Sequence, residues 1–241
     1  MMNTSSVLDK IIADKCKEVA QRKSNMPIAK LEATEFFKRP CFSLKNALQN
    51  SKTGIIAEYK RRSPSKAIIN QESTVRDVAK GYSDAGACGM SVLTDEKYFG
   101  GTLDDLTQAR AAVQLPLLRK EFVIDEYQLV EAKAYGADVV LLIAAALSKE
   151  VVKILSETAN NLGLEVLLEI HNEEELQQSP VSGIDMIGVN NRNLKTFDVT
   201  LEISKTLARH IPDTVVKVSE SGISSIEAVK TLQAHGYRGF L

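Results

Sequence analysis

An acidic and a basic residue, Glu58 and Lys60, follow a short apolar run at residues 55–57. Side chains two positions apart on a β-strand point to the same side, so this carboxylate and this ammonium can share one pocket. Such a pair can bind a substrate anion or transfer a proton. A surface ion pair at the mouth of a loop fits the same pattern, and the segment alone leaves both interpretations open.

Two further ionisable residues end apolar runs in the same way. Lys120 follows residues 117–119 and lies close to Phe122. Apolar walls and a neighbouring cation would lower the pKa of this lysine and suit it to donate a proton near neutrality. Glu169 follows residues 165–168, and burial would raise the pKa of its carboxyl toward that of a general base. Ordinary exposed loop positions fit both residues as well.

Groups suited to binding oxygen atoms follow two later apolar runs. Asn190 and Arg192 supply an amide and a guanidinium that can hold hydroxyls and a carboxylate, although Asn-rich turns also occur for backbone reasons. Ser221 and Gly222 precede a predicted helix and can offer backbone N–H groups to an anion, as half of a phosphate site. A simple helix cap is the alternative interpretation.

Short apolar runs alternate with amphipathic stretches from residue 55 onward, a pattern that predicts a parallel sheet covered by helices. Strands are predicted at residues 55–59, 89–93, 117–119, 139–143, 165–168, 186–189, 215–218 and 239–241. Helices are predicted between them at residues 74–85, 103–113, 126–135, 149–162, 200–209 and 225–234. Eight strands with intervening helices predict an α/β fold, a (β/α)8 TIM barrel, in which the polar strand ends meet at one mouth.

Caps and glycines mark the predicted helix ends. Helix N-caps are predicted at Ser73 or Thr74 and at Asp125, Ser148 and Ser224, where Ser, Thr and Asp side chains can bind free N–H groups. Glycines suited to the ends of helices are Gly136, Gly163 and Gly236.

The first fifty residues lie outside this alternation. Leu8, Ile11, Ile12 and Val19 recur at helical spacing, which predicts an N-terminal helix packed on the barrel. Shorter helices are predicted at residues 33–37 and 44–49. This extension could close the bottom of the barrel or form part of the substrate site. We therefore predict a single barrel domain over residues 1–241, with residues 1–50 as an N-terminal helical extension.

The last predicted strand coincides with the last residues of the sequence. An eighth loop and an eighth helix would complete the barrel, so the C-terminal βα unit is expected to be truncated in this chain. The loop after the eighth strand would supply the other half of the phosphate site. We expect weaker phosphate binding and lower stability for a chain without that unit.

Composition narrows the function classes. A net charge of −1 predicts no nucleic-acid partner, and no apolar run approaches the length of a membrane span. The three cysteines, Cys16, Cys41 and Cys88, are widely spaced and indicate reduced thiols in the cytoplasm. The histidines show no metal-ligand spacing and no Gly-x-Gly-x-x-Gly follows the first strand, so neither a metal nor a dinucleotide cofactor is expected.

Six segments in chain order, each at a predicted strand end, together resemble a known family. Segments 58–65, 93–101, 118–122, 188–194 and 219–222, with Glu169, are similar to those of the indole-3-glycerol-phosphate synthases of tryptophan biosynthesis. The resemblance implies a (β/α)8 barrel. It also implies an enzyme that cyclises, decarboxylates and dehydrates a phosphorylated small molecule, 1-(2-carboxyphenylamino)-1-deoxyribulose 5-phosphate, without a cofactor. Association with other enzymes of the pathway is a further expectation.

The same resemblance implies residue roles. Lys120 is the general acid that protonates the ketone oxygen as the aryl carbon attacks, and Glu169 is the base that assists dehydration. Lys60 holds the anthranilate carboxylate and could relay a proton. Glu58 and Glu220 orient the lysines, and Asn190 binds a hydroxyl. The remaining implied contacts are those of the phosphate, with Ser63, Ser221 and Gly222, and those of the aryl ring, with Phe99, Phe122, Leu141 and Leu194. Arg192 is assigned to substrate binding on its chemistry.

Two other functions remain to be compared with this one. Another phosphate-binding barrel, such as phosphoribosylanthranilate isomerase, would use a Cys and Asp pair at strand ends, but Cys88 lies at the start of its strand. A non-catalytic barrel that docks to a pathway partner would not need the two lysines and Glu169. The segment 98–101 leaves a second question open, since it could be a mobile loop with an aromatic lid or a turn with a core aromatic.

Overall fold

Eight parallel strands and eleven α-helices alternate in a computed structural model that describes residues 6–64, 66–193 and 196–241. The strands are β1 Ile56–Tyr59, β2 Gly89–Leu93, β3 Leu117–Lys120, β4 Val139–Ile143, β5 Glu165–Ile170, β6 Met186–Asn190, β7 Val216–Glu220 and β8 Gly239–Phe240. The helices are α1 Val7–Asn25, α2 Ile28–Glu32, α3 Leu44–Asn50, α4 Val75–Asp84, α5 Glu96–Phe99, α6 Leu103–Ala112, α7 Glu126–Ala134, α8 Lys149–Asn161, α9 Glu173–Gln178, α10 Glu202–Leu207 and α11 Ile226–Ala234.

The strands form one sheet in chain order that curls into a nearly closed barrel. Each strand pairs in parallel with the next, and the backbone N–H of Phe240 donates to the carbonyl of Gly54 at 2.9 Å, which joins the eighth strand to the first. Gly54 has a φ of 68°, and a Cβ there would lie 2.0 Å from the carbonyl oxygen of Arg238. Only glycine fits this closure, and the predicted (β/α)8 barrel is confirmed.

Alternating side chains on the strands divide the core into two layers, because successive residues of a strand face opposite sides. One layer fills the barrel and includes Leu118, Leu141, Leu167 and Met186. The other lies between the strands and the surrounding helices and includes the neighbouring strand residues Val140, Leu142, Leu168 and Ile187. The ionisable strand residues at the mouth share the register of the first layer, so they project into the barrel.

Helix α3 closes the amino-terminal end of the barrel. Its Leu44 and Leu48 are fully buried in the layer that fills the barrel, which we call the interior cluster. Ser43 and the backbone N–H of Lys45 both donate to the carboxylate of Glu165 at the start of β5. Of the two roles considered for the extension, closure of the bottom is the one that α3 performs.

Helix α1 is tied to the opposite end of the barrel by a buried lysine. The Nζ atom of Lys15, 1% exposed, lies 2.9 Å from both Asp95 and Glu121 and 2.7 Å from Glu18. Asp95 caps α5, and Glu121 directly follows Lys120. The N-terminal extension therefore supports the loops that follow β2 and β3 through this charge network.

Replacing Lys15 by methionine is expected to lower the free energy of unfolding by about 3–5 kcal/mol, because Asp95 and Glu121 would be buried without their cation. Urea denaturation at neutral pH measures the change. The matched control is Lys10→Met on the exposed side of the same helix, which should change stability by less than about 0.5 kcal/mol. Equal midpoints for the two variants would refute a structural role for Lys15.

The extension and the short helices differ from the predictions in detail. The helix predicted at residues 33–37 is wrong: a 3-10 turn covers Phe36–Lys38, and α2 precedes it. Such short segments carry too little periodic signal to be located from the pattern. Helices α5 and α9 were not predicted, although Asp95 and Asn172 cap them.

Most of the predicted helix ends agree with the structure. The caps Thr74, Asp125 and Ser148 are confirmed, while the cap of α11 is Ser225 rather than Ser224. The three glycines predicted at helix ends all have positive φ. No helix among the described residues is long and apolar enough to cross a membrane.

Candidate active site

Lys120 occupies the centre of the barrel mouth at the end of β3. Its Nζ atom lies 2.5 Å from Oε2 of Glu220 on β7 and 3.2 Å from Oε2 of Glu169 on β5. The Lys120 side chain is 15% exposed, while those of Glu169 and Glu220 are almost fully buried. Glu169 and Glu220 are 49 and 100 positions from Lys120 in the sequence, yet both contact its ammonium group. Such contacts are expected where the ends of parallel strands converge.

The pKa of Lys120 is shifted in the direction opposite to the one expected from the sequence. Burial favours the neutral amine, but the carboxylates of Glu220, Glu169 and Glu58 outweigh it and raise the pKa of Lys120. The predicted lowering of this pKa is therefore wrong, because the cationic neighbour Arg119 faces the helix layer and pairs with Glu131 at 2.7 Å. Lys120 is a full ammonium at neutral pH.

Glu169 is likewise held in its charged form. Burial would raise the pKa of this carboxyl, but the nearby Lys120 and His171 outweigh that effect and lower it below its usual value. Asn190 donates to Oε1 of Glu169 at 3.2 Å, and Nε2 of His171 lies 3.3 Å from the same oxygen. The expectation that burial would raise this pKa is wrong, since a carboxylate that contacts two cations is stabilised when ionised.

Glu220 responds to the same surroundings in the other direction. Burial, together with the charge of Glu169, raises the pKa of Glu220 to about 7, although Lys120 opposes the rise. Its Oε1 atom is buried and has no hydrogen-bond partner among the described residues. Two carboxylates share one ammonium, so one of them is ionised easily and the other retains a proton near neutrality.

Glu58 and Lys60 form a second charged pair at the end of β1. Their side chains are in hydrogen-bond contact and are 23% and 28% exposed, respectively. Glu58 lies in the register of Ile56, which faces the barrel interior, and its charge raises the pKa values of Lys120 and Glu220. The pair lies at the same end of the barrel as Lys120, and its role in chemistry stays a prediction.

Aromatic and aliphatic side chains border the cluster. The rings of Phe99 and Phe122 are 6.1 Å apart and inclined by 41°, and Phe122 packs on the interior cluster that contains Leu141. Leu194 lies outside the described residues. The segment 98–101 is no open loop, because Tyr98 donates to Asp14 of α1 at 2.5 Å.

The residues assigned to phosphate lie on three loops. Ser63 accepts a hydrogen bond from the backbone of Lys66, and Arg192 donates to the carbonyl of Phe197 at 3.1 Å. Ser221 and Gly222 have positive φ and precede α11 as predicted, with three residues between Gly222 and the first residue of the helix. The N–H of Ser221 already donates to the carbonyl of Leu241 at 2.9 Å, so this backbone group is not available to an anion as predicted.

Asn191, fully buried, connects the loops that follow β6 and β7. Its amide nitrogen donates to Ser219 at 2.9 Å and to the carbonyl of Ser221 at 3.1 Å, and its oxygen accepts from Ser204 at 2.8 Å. Sequence reasoning treated it only as part of an Asn-rich turn. Asn191 fixes the turn that carries Ser221.

Gly188 is another residue that the sequence reasoning did not assign. A Cβ at this position would lie 2.0 Å from Oε1 of Glu220 and 3.2 Å from Leu167. The absence of a side chain at Gly188 therefore makes room for the Glu220 carboxylate beside Lys120. A glycine inside a buried strand is a signal of such close approach.

Replacing Gly188 by alanine is expected to displace Glu220 from Lys120 and to lower kcat at least ~10-fold, with reduced stability from overpacking of about 1–3 kcal/mol. Steady-state kinetics and thermal melting measure both effects. Gly81→Ala is the matched control, because a Cβ there meets nothing within 4 Å and an alanine inside α4 should be slightly stabilising. Wild-type kinetics for Gly188→Ala would contradict this reading of the strand.

The donor set does not resemble a metal site. No group of three or more His, Cys, Asp or Glu side chains suited to a metal ion occurs among the described residues. The central carboxylates instead surround Lys120, which supplies the positive charge in this cluster. Cys88 is buried just before β2, at the opposite end from the mouth.

A barrel that gathers a buried ammonium, carboxylates and an amide at its carboxyl-terminal face defines an enzyme of the (β/α)8 class. The model of the family "Indole-3-glycerol phosphate synthase" matches residues 8–241. The indole-3-glycerol phosphate synthase of Bacteroides thetaiotaomicron is 52% identical over 98% of this chain and 90% of its own length. That of Chromobacterium violaceum is 43% identical over 98% of this chain and 91% of its own length.

The chain therefore belongs to the indole-3-glycerol phosphate synthase family. It is an enzyme of tryptophan biosynthesis that acts on a phosphorylated small molecule. Among solved structures, "QR15, an Aldolase" is similar with a TM-score of 0.57 at 13% identity, over 79% of this chain and 90% of that one. That likeness concerns the barrel fold alone.

Proposed function

We propose that the chain is a carboxy-lyase that converts 1-(2-carboxyphenylamino)-1-deoxyribulose 5-phosphate into indole-3-glycerol phosphate, carbon dioxide and water. The observation that carries this proposal is the contact of Lys120 with both Glu169 and Glu220 at the mouth. Ring closure places positive charge on the aryl system and negative charge on the ketone oxygen, and the mouth contains groups of both signs. Family membership supports the same reaction.

Lys120 acts as the general acid. It carries the proton that the ketone oxygen takes up when the aryl carbon attacks, and its ammonium stabilises the oxyanion before transfer. Two ionised carboxylates would hold that proton tightly. Protonation of Glu220, whose pKa is about 7, removes one of them and favours transfer from Lys120 to the substrate.

Glu169 acts as the base in the final dehydration. The carboxylate of Glu169 is ionised before substrate binds. Asn190 orients one oxygen of Glu169 and also binds a substrate hydroxyl. Glu169 takes the proton that leaves the ring system, and the C–O bond breaks as the departing hydroxyl takes a proton from the ammonium of Lys60 and leaves as water. The aromatic indole forms, and Glu169 then returns its proton to Lys60. A carboxylate at the end of a rigid strand is well placed for this step.

Lys60 and Glu58 bind the other end of the reacting system. The partly exposed Lys60 holds the anthranilate carboxylate until that group leaves as carbon dioxide, and Glu58 orients the ammonium. Phe99, Phe122 and Leu141 enclose the aryl ring. An apolar surround favours decarboxylation because a carboxylate is poorly solvated there.

Ser63, Arg192, Ser221 and Gly222 bind the phosphate. Supporting this assignment, a Cβ on Gly222 would lie 2.5 Å from Val199, which pairs with Arg192 across the loop after β6. The loops after β6 and β7 are therefore packed together, so a guanidinium and a hydroxyl can reach one anion.

The proposal also includes a cytoplasmic setting, which three free cysteines support. It further includes association with other enzymes of the pathway.

Stoichiometry of the reaction tests the proposed class of enzyme. One carbon dioxide should be released for each indole-3-glycerol phosphate formed when the carboxyphenylamino substrate is supplied, without any added cofactor. Phosphoribosylanthranilate, the substrate of the rival isomerase, should give no turnover. Turnover of phosphoribosylanthranilate without release of carbon dioxide would replace this proposal with the isomerase.

A further inference from the structure

His171 is a buried ionisable residue next to the proposed base that the mechanism has not yet used. It lies directly after β5, two positions beyond Glu169, and its side chain is 10% exposed. Its Nε2 atom lies 3.3 Å from Oε1 of Glu169, and its Nδ1 atom lies 3.2 Å from Oε2 of Glu175 on α9. Both ring nitrogens therefore lie within ion-pair distance of a carboxylate oxygen, and the buried Nε2 makes no hydrogen bond with any other described residue.

The backbone fixes this arrangement as well. The N–H of His171 donates to the same Glu175 oxygen at 2.7 Å, and Asn172 donates to the other oxygen of Glu175 at 2.7 Å. Glu175 in turn lies in the first turn of α9, whose cap is Asn172. Glu175 therefore fixes the imidazole of His171 on the side that faces α9, and the other ring nitrogen faces Glu169.

The charged groups that face His171 come from two elements. Glu169 faces it from β5 and Glu175 from α9, and Lys120 of β3 faces the far oxygen of Glu169. The 3-10 turn Ala144–Ala146, which packs on both β5 and α9, contributes only alanine side chains, and Asn190 of β6 is uncharged. Both carboxylates raise the pKa of His171 to about 10 although burial opposes the rise.

We infer that His171 is a positioning residue for the reaction: its imidazolium, clamped by Glu175, holds Oε1 of Glu169 and leaves Oε2 facing Lys120 and the substrate. This inference rests on the proposed role of Glu169 as the dehydrating base. A carboxylate that rotates freely would spend part of its time with the wrong oxygen toward the substrate, and a base is effective only when its geometry is fixed. His171 also keeps Glu169 ionised by its charge.

Replacing His171 by glutamine tests the inference, because glutamine is polar and of similar reach but carries no charge. We expect kcat to fall about 10-fold or more, KM to change less than about twofold, and the acidic limb of the kcat profile to move to higher pH. The matched control is His210→Gln. His210 lies 3.4 Å from Glu173, also on α9, but is more exposed and contacts no residue of the mouth among those described.

Direct titration provides a readout that does not depend on turnover. The chain has three histidines, so ring signals in NMR spectra are few, and the His171→Gln variant identifies the one that is lost. In the wild type that signal should remain that of an imidazolium through about pH 8. In Glu175→Gln it should titrate at lower pH, and this variant should show the same kcat-selective loss if His171→Gln fails to fold.

The outcomes separate this inference from the proposed function. An active wild type with unchanged kcat and pH profile in both His171→Gln and Glu175→Gln would overturn the positioning role and leave the proposed function intact. A wild type that forms no indole-3-glycerol phosphate would overturn the proposed function itself. Equal losses in His171→Gln and His210→Gln would show that α9 matters only for structure, and would also overturn the inference.

Discussion

Replacing Lys120 by alanine is expected to lower kcat by about 10²–10⁴-fold while leaving the affinity for the substrate phosphate nearly unchanged. The ammonium is the group that Glu169 and Glu220 both contact. In the proposed mechanism its proton neutralises the ketone oxygen during ring closure. The phosphate is assigned to other loops, so its binding does not need Lys120. Steady-state kinetics and displacement of a bound substrate by inorganic phosphate measure the two quantities.

The control for this prediction is Lys153→Ala, because Lys153 lies on α8 with a side chain that is 66% exposed. That variant should match the wild type in both assays. Circular dichroism of Lys120→Ala verifies that the barrel is folded, since two carboxylates lose their shared cation. Near-normal turnover in a folded Lys120→Ala variant would refute the assigned general acid.

Replacing Glu169 by glutamine should lower formation of the final product by about 10²–10⁴-fold, but it should spare the earlier steps. The amide keeps the size of the side chain and removes its basicity, so ring closure and decarboxylation proceed while dehydration stops. The intermediate that accumulates has lost carbon dioxide and retains water. Rapid quenching followed by mass spectrometry should detect a species one water heavier than indole-3-glycerol phosphate.

Release of carbon dioxide distinguishes the step assigned to Glu169 from the step assigned to Lys120. Release of carbon dioxide should remain fast in Glu169→Gln during the first turnover, whereas Lys120→Ala should slow it. Glu157→Gln on the exposed surface of α8 is the matched control and should form product normally. If Glu169→Gln releases no carbon dioxide, Glu169 acts before dehydration and its assigned step is wrong.

Periodicity in the sequence was sufficient to predict the barrel and one side of its mouth. Apolar runs of three to five residues alternate with amphipathic helices, and that alternation has few structural solutions. Glu58 and Lys60 could be placed on one face because the period of a strand is two. Convergence of Lys120, Glu169 and Glu220 followed from the rule that parallel strands deliver their carboxyl ends to the same face.

The protonation states could not be predicted in the same way. A sequence shows which residues are near in the chain, such as Arg119 beside Lys120, but the pKa depends on which groups are near in space. Arg119 faces the helices, and the carboxylates that raise the pKa of Lys120 come from other strands. The predicted directions of the pKa shifts of Lys120 and Glu169 are therefore wrong, whereas the prediction that both side chains lie at the barrel mouth agrees with the structure.

His171 and Gly188 were overlooked for a related reason. Each looks ordinary in its own segment, one within a charged loop and the other inside an apolar strand. Their importance depends on a contact of 3.3 Å to Glu169 in one case and on the space occupied by Glu220 in the other. Only the assembled barrel places both beside the charged residues that they affect.

Formation of indole-3-glycerol phosphate, followed by its fluorescence after addition of the carboxyphenylamino substrate, tests the central claim most directly. The account predicts a rise in signal with the wild-type chain in the absence of added metal or cofactor, and loss of that rise with Lys120→Ala at equal protein concentration. A flat trace from folded wild-type protein, or equal traces from the two proteins, would contradict it.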